Sequence, residues 1–257
     1  GGVGGKAAQG IGVQFINDAG IVTTTGAIGL YGTGATFGLD IADGAIDTDS
    51  GDITLDGEAT ASGAVAGVRV TGDGLTTDGG NITVHGVSAG GVGVQLGDGS
   101  TPFAVGSGGG AILIDGTGVA AGVQLLNNQV ASGGGAIGIT GQGGVDGIQL
   151  DASTVDSGGG TVNMDGTASE ADGVGVLLYA SQVLGGAGDV SVHGVAAQGT
   201  GIDLTYGPGI HTTSGNILLD GSGHANGVHV SSSWLSTGSG AISLLGQAIT
   251  GAGVLVN

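Results

Sequence analysis

Through most of the chain, aliphatic residues alternate with polar residues and glycine. A Gly, any residue, an aliphatic, any residue and usually a second aliphatic recur as GAIGL at Gly26, GDITL at Gly51, GNITV at Gly80, GAILI at Gly110, GAIGI at Gly135, GTVNM at Gly160, GDVSV at Gly188, GNILL at Gly215 and GAISL at Gly240. Each unit carries a second signal, Gly then aliphatic, any, aliphatic, as in Gly67-Val68-Arg69-Val70, Gly122-Val123-Gln124-Leu125 and Gly227-Val228-His229-Val230. A third aliphatic follows in most units, among them Leu75, Val105, Val130, Val155, Val183, Ile210 and Leu235. Alternation at period two, bounded by Gly, Asn, Asp and Ser, predicts short half-buried strands, three to a unit. No stretch has helical periodicity.

Successive unit starts lie 25, 29, 30, 25, 25, 28, 27 and 25 residues apart. Three strands in roughly 25 residues close one coil of a parallel β-helix, and about ten coils stacked at ~4.8 Å make a rod of about 50 Å. The predicted inward columns run Ile28, Ile53, Ile82, Ile112, Ile137, Val162, Val190, Ile217, Ile242, and beside it Leu30, Leu55, Val84, Ile114, Ile139, Met164, Val192, Leu219, Leu244. Gly recurs two residues after the second column, from Gly32 to Gly246, which calls for positive φ or tight packing. Residues 1–257 read as one continuous β-helix domain.

Composition explains what replaces an ordinary core. Of 257 residues 65 are Gly, seven are aromatic and none is Cys, yet 39% are hydrophobic, far above a disordered low-complexity chain. Lys6 and Arg69 stand against 21 carboxylates, a formal charge of −19 that repels nucleic acid and anionic membrane surfaces. No run approaches the roughly 20 apolar residues of a membrane helix, so membrane insertion is not expected.

The segments SGDITLDG, GGNITVHG and SGNILLDG resemble the repeats of filamentous-haemagglutinin-type exoproteins of two-partner secretion in Gram-negative bacteria. The resemblance covers the whole chain as a repeat type. It implies a right-handed parallel β-helix that is secreted, extracellular and cell-surface associated, serving as the structural shaft of an adhesin in attachment or biofilm cohesion. The NPNL-type motif of that family's secretion domain has no counterpart, since the chain has no Asn-Pro pair. The implied partners are a glycan or protein of a host or neighbouring cell, or further copies or a continuation of the same β-helix. A self-assembling extracellular filament is the alternative, because neither end shows a polar cap of the kind solenoids use.

The residue after the second inward column reads Tyr31, Asp56, His85, Asp115, Thr140, Asp165, His193, Asp220 and Leu245. Each histidine is thus expected between aspartates of adjacent coils. A ladder that spaces like charges is the leading account, with a metal site or a pH-sensitive element as the sharper ones. His211, His224 and His229 fall elsewhere and read as satisfied or solvent-facing. Calcium is a candidate cofactor on charge alone, since neither an RTX nonapeptide array nor an EF-hand loop is present. The threonine runs at Thr23, Thr76 and Thr212 hint at an ice-binding array, but intervening coils break it. A polysaccharide-binding or polysaccharide-degrading β-helix is the rival from another class. Its lyase form needs a cationic base, for which Lys6 and Arg69 are the candidates, and its hydrolase form needs paired acids. Tyr179, Tyr206 and Trp234 near the third strand, with Phe103 in the longest insertion, form the candidate contact surface.

Overall fold

Buried alternation over so many short segments requires a fold in which each strand borrows neighbours from the next repeat. The computed structural model, which describes residues 2–257, does this with 29 strands and no helix among the described residues. Sheets A and B have ten strands each and sheet C has nine, and every ladder neighbour is the strand one coil away. Sheet A begins with Gly2–Lys6, Ile28–Gly34 and Ile53–Ala59, sheet B with Ile11–Phe15 and Phe37–Ile41, and sheet C with Ile21–Thr23 and Ala45–Thr48. All pairings are parallel, with partner offsets from 25 residues (Ile28 to Ile53) to 30 (Ile82 to Ile112). The longer coils place their extra residues at corners: 60–65 and 169–173 between sheets A and B, 97–102 between B and C. The ladders therefore run on with one interruption, in sheet C, where Gly185 is an extra residue and the register shifts between Leu184 and Gly186.

The two predicted columns of sheet A are buried from Ile28 and Leu30 to Ile217 and Leu219. Ile242 and Leu244, in the last strand, have a neighbour on one side only and are more exposed. Sheet B adds Leu39, Val68, Val94, Val123 and their successors, and sheet C adds Ile46 through Ile210, all in one continuous core. Each such side chain contributes about 1.5–3 kcal/mol on leaving water.

Three corners close each coil, and each uses a different device. At the A–B corner the recurrent glycine after the second column faces a second glycine column in sheet B: Gly32 meets Gly38, Gly116 meets Gly122, Gly141 meets Gly147 and Gly221 meets Gly227. A Cβ at any of these sheet A positions would fall under 3.0 Å from the facing carbonyl. None of this sheet A series, Gly32 to Gly246, has positive φ, so tight packing and not backbone conformation demands the residue. At the C–A corner a Ser or Thr hydroxyl serves the glycine three residues on. Thr48 Oγ1 accepts from the Gly51 amide at 3.1 Å, while Ser132 donates to the carbonyls of Gly135 and, at 3.1 Å, Ser157 of the next coil. Thr48, Thr77 and Thr212 are thereby turned inward and buried, which removes them from any exposed threonine array. At the B–C corner one residue takes the left-handed conformation: Asp43, Asn127, Ala152, Ala180, Tyr206 and Ser232 have φ between 48° and 59°.

Candidate functional site

The expected outer column of sheet A is present and in register. Tyr31 opposes Asp56, Asp56 opposes His85, and His85 opposes Asp115; further along, Thr140, Asp165, His193, Asp220 and Leu245 continue it. His85 donates through Nδ1 to Asp56 Oδ1 at 2.9 Å, and its Nε2 lies 3.9 Å from Asp115 Oδ2. His193 donates through Nδ1 to Asp165 at 3.2 Å; Asp220, on its other side, is in register but not within ion-pair distance. The sandwich is closed on both sides at His85 and on one side at His193. All these side chains are substantially exposed, so each pair is solvent-screened and holds the surface together weakly. Among the described residues no three His, Cys, Asp or Glu side chains converge as a metal site would require.

A second outer polar column, on sheet B, went unread in the sequence. Gln14 donates to Asp40 Oδ2 at 3.1 Å, and Arg69 Nε donates to Asp40 Oδ1 at 2.8 Å. Gln124 donates to Gln149 at 2.7 Å, and His229 donates to Asp203 at 2.9 Å. The signal was the middle residue of each Gly-aliphatic-x-aliphatic segment, legible once the coils are aligned. Arg69 also lies 4.3 Å over the Phe37 ring, and its Asp40 partner is 2% exposed. This cation is committed to the fold. His229 is satisfied by Asp203 as expected, and His211 contacts Ser236 Oγ at 2.7 Å.

The proposed aromatic contact surface needs one correction. Phe103 opens a sheet C strand in register with Asn128, and alternation places both Phe103 and Val105 inward; Phe103 is 1% exposed and is core. It therefore presents nothing to a partner. Tyr179 and Tyr206 do meet, with ring centroids 5.3 Å apart and planes tilted by 53°, at the B–C corner. Tyr206 and Trp234 are 71% and 76% exposed, Trp234 on the outer face of the neighbouring sheet C strand.

Two carboxylates have displaced titration. Burial raises the pKa of Asp146, against the opposing hydrogen bond from the Val174 amide. The Ser100 and Thr101 amides, donating to Asp98, lower its pKa. Asp98 shares an open cleft at the B–C corner with a second acid, Asp151, and the rest of its lining is Gly99, Leu126, Asn127 and Ala152, with no nucleophile. Compared with protein-family models, curated proteins and solved structures, the chain finds no match in any of the three.

Proposed function

We propose that this chain is a length of the rigid shaft of a secreted bacterial surface adhesin, holding contact surfaces away from the cell. The observation that carries this reading is the continuity of the three ladders. Every coil is tied to the next by backbone hydrogen bonds that run along the rod, and the longer insertions are kept at corners, with a single-residue bulge at Gly185 absorbed inside a sheet C strand. The resemblance of the SGDITLDG-type repeats to filamentous-haemagglutinin-like exoproteins supports the same reading, as does an acidic surface suited to an extracellular rod. The Tyr179–Tyr206 pair with exposed Trp234 supplies a place for attachment to a glycan or protein.

The repeat itself provides the test. Ser107–Ala111 and Ser132–Ala136 are both SGGGA, so deleting residues 112–136 joins Ala111 to Ile137 across an identical turn. A spacer tolerates that loss: the rod shortens by about 4.8 Å, and cells displaying the full protein attach as before. Loss of attachment by a variant whose circular dichroism remains that of a folded β-helix would overturn the shaft reading.

A further inference from the structure

One concavity on the rod is unlike the rest of its surface. On the outer face of sheet A, across the first three coils, a groove of about 440 Å³ is lined by Gly4, Lys6, Tyr31, Thr33, Asp56 and Glu58, among others. Register explains the arrangement. Gly4, Tyr31 and Asp56 form one column, while Lys6, Thr33 and Glu58 form the next one on the same face. Gly4 leaves the floor low.

Tyr31 is laid across its neighbours. A Cβ on Gly29 would lie 2.9 Å from the ring's Cε2 and 3.1 Å from its hydroxyl, and one on Gly2 would lie 3.5 Å from Cε2. The ring therefore rests on two glycines, with about half of the residue's surface open to solvent. Lys6 makes no ion pair within the described residues, in contrast to Arg69. The groove is thus bordered by the Tyr31 side chain, whose ring rests on Gly2 and Gly29 beyond the groove's edge, and it offers an ammonium donor, two carboxylate acceptors and a hydroxyl, spread over two strand spacings.

We infer that this groove is a subsite for a neutral, hydroxyl-rich glycan. A sugar ring presents an apolar face to Tyr31 and alternating donors and acceptors to Lys6, Thr33, Asp56 and Glu58. The groove lies within the usual range for small-molecule sites, about 300–1,000 Å³. Two carboxylates against one ammonium, on a chain of charge −19, select against uronate and sulfated sugars. A basic peptide is less well matched, since Lys6 stands inside the groove and the Tyr31 face calls for a flat apolar surface. The groove is several coils from the Tyr179–Tyr206 corner and stands independently of the shaft reading.

The test is saturation-transfer NMR and calorimetry of the 257-residue chain with maltotriose, cellotriose, mannotriose and triacetylchitotriose, with trigalacturonate and trilysine as charged controls. A neutral trisaccharide is expected to bind with Kd near about 1 mM, as an open site allows. Tyr31→Ala is expected to weaken it at least about tenfold, Tyr31→Phe to retain most of it, and Glu58→Gln to weaken it several-fold, all with wild-type circular dichroism. Leu113→Ala, on the outer face of sheet A two strands beyond the groove, is expected to leave it unchanged. The inference is overturned by no binding from any neutral trisaccharide, by equal or tighter binding of trigalacturonate or trilysine, or by binding that survives Tyr31→Ala. In each of those outcomes the coil-deletion result stands or falls separately.

Discussion

Gly138 and Gly141 lie three residues apart on one strand, Ile137–Gly143, yet alanine should act on them with opposite sign. At Gly141 a Cβ would meet the Gly147 carbonyl, with the carbonyl carbon at 2.7 Å and Ile148 Cγ1 at 2.8 Å. The Gly147 carbonyl is backbone of sheet B, fixed by ladders above and below, and Ile148 is a buried core side chain, so sheets A and B must part locally. Overpacking usually costs about 1–3 kcal/mol, and with a fixed backbone carbonyl in its path Gly141→Ala belongs at or beyond the upper end. At Gly138 the outward Cβ meets Leu113 Cδ1 alone, at 3.2 Å, and a side-chain end can move. Gly138→Ala is then governed by the unfolded chain, whose reduced entropy stabilises by about 0.4–1 kcal/mol. At roughly 2–4 °C per kcal/mol for a chain of this size, thermal scans should show Tm falling by about 6–12 °C for Gly141→Ala and rising by about 1–4 °C for Gly138→Ala. Hydrogen exchange should place the loss of protection around Ile137–Gly143 and Asp146–Asp151. A Gly141→Ala variant melting within about 1 °C of the parent would refute the packing argument, since even the least cost of overpacking, about 1 kcal/mol, lowers Tm by about 2–4 °C.

Two smaller tests address other corners. Asp146, whose pKa burial raises, stands in register two coils before Thr200, and at the same corner further along Asn226 Oδ1 accepts the Ala252 amide as Asp146 accepts that of Val174. Below the ordinary value of 3.8 both folded and unfolded states hold the proton; as pH rises through the folded value, the unfolded state ionises first and stability is lost. Asp146→Asn should therefore raise Tm at pH 7 and do little at pH 3, and an equal effect at both would remove ionisation as the cause. Ala152, at φ 48°, occupies the left-handed corner filled by Asn127 one coil earlier. Relief of about 1–2 kcal/mol of strain, less about 0.5–1 kcal/mol for glycine's freedom when unfolded, predicts that Ala152→Gly gains about 0.5–1 kcal/mol in denaturant titration; a loss would count against it.

What the sequence discloses about this rod follows from what repeats. Ile28 to Ile217 and Leu30 to Leu219 recur at one phase of the coil, so the core of sheet A could be written down residue by residue, and parallel register followed from it. Phe103 was misplaced because it sits just after the 97–102 insertion, where alternation must be counted from the strand that follows, Phe103–Gly106, and not from the loop before it. The left-handed corner was hidden for a different reason. Ala152, Ala180 and Tyr206 carry no turn signature, and the closed coil imposes their conformation from outside. The glycine pairs lie between these cases: each column is visible alone, but that Gly32 faces Gly38 is a fact about how sheets A and B meet. The same distinction applies to the surface. The Asp56–His85–Asp115 ladder is a column and was legible, whereas the Tyr31 groove draws on two columns and on the glycines beneath the ring. Chemistry assembled across neighbouring columns appears only when the coils are stacked, and on a solenoid that is where sites distinct from the repeat have room to arise.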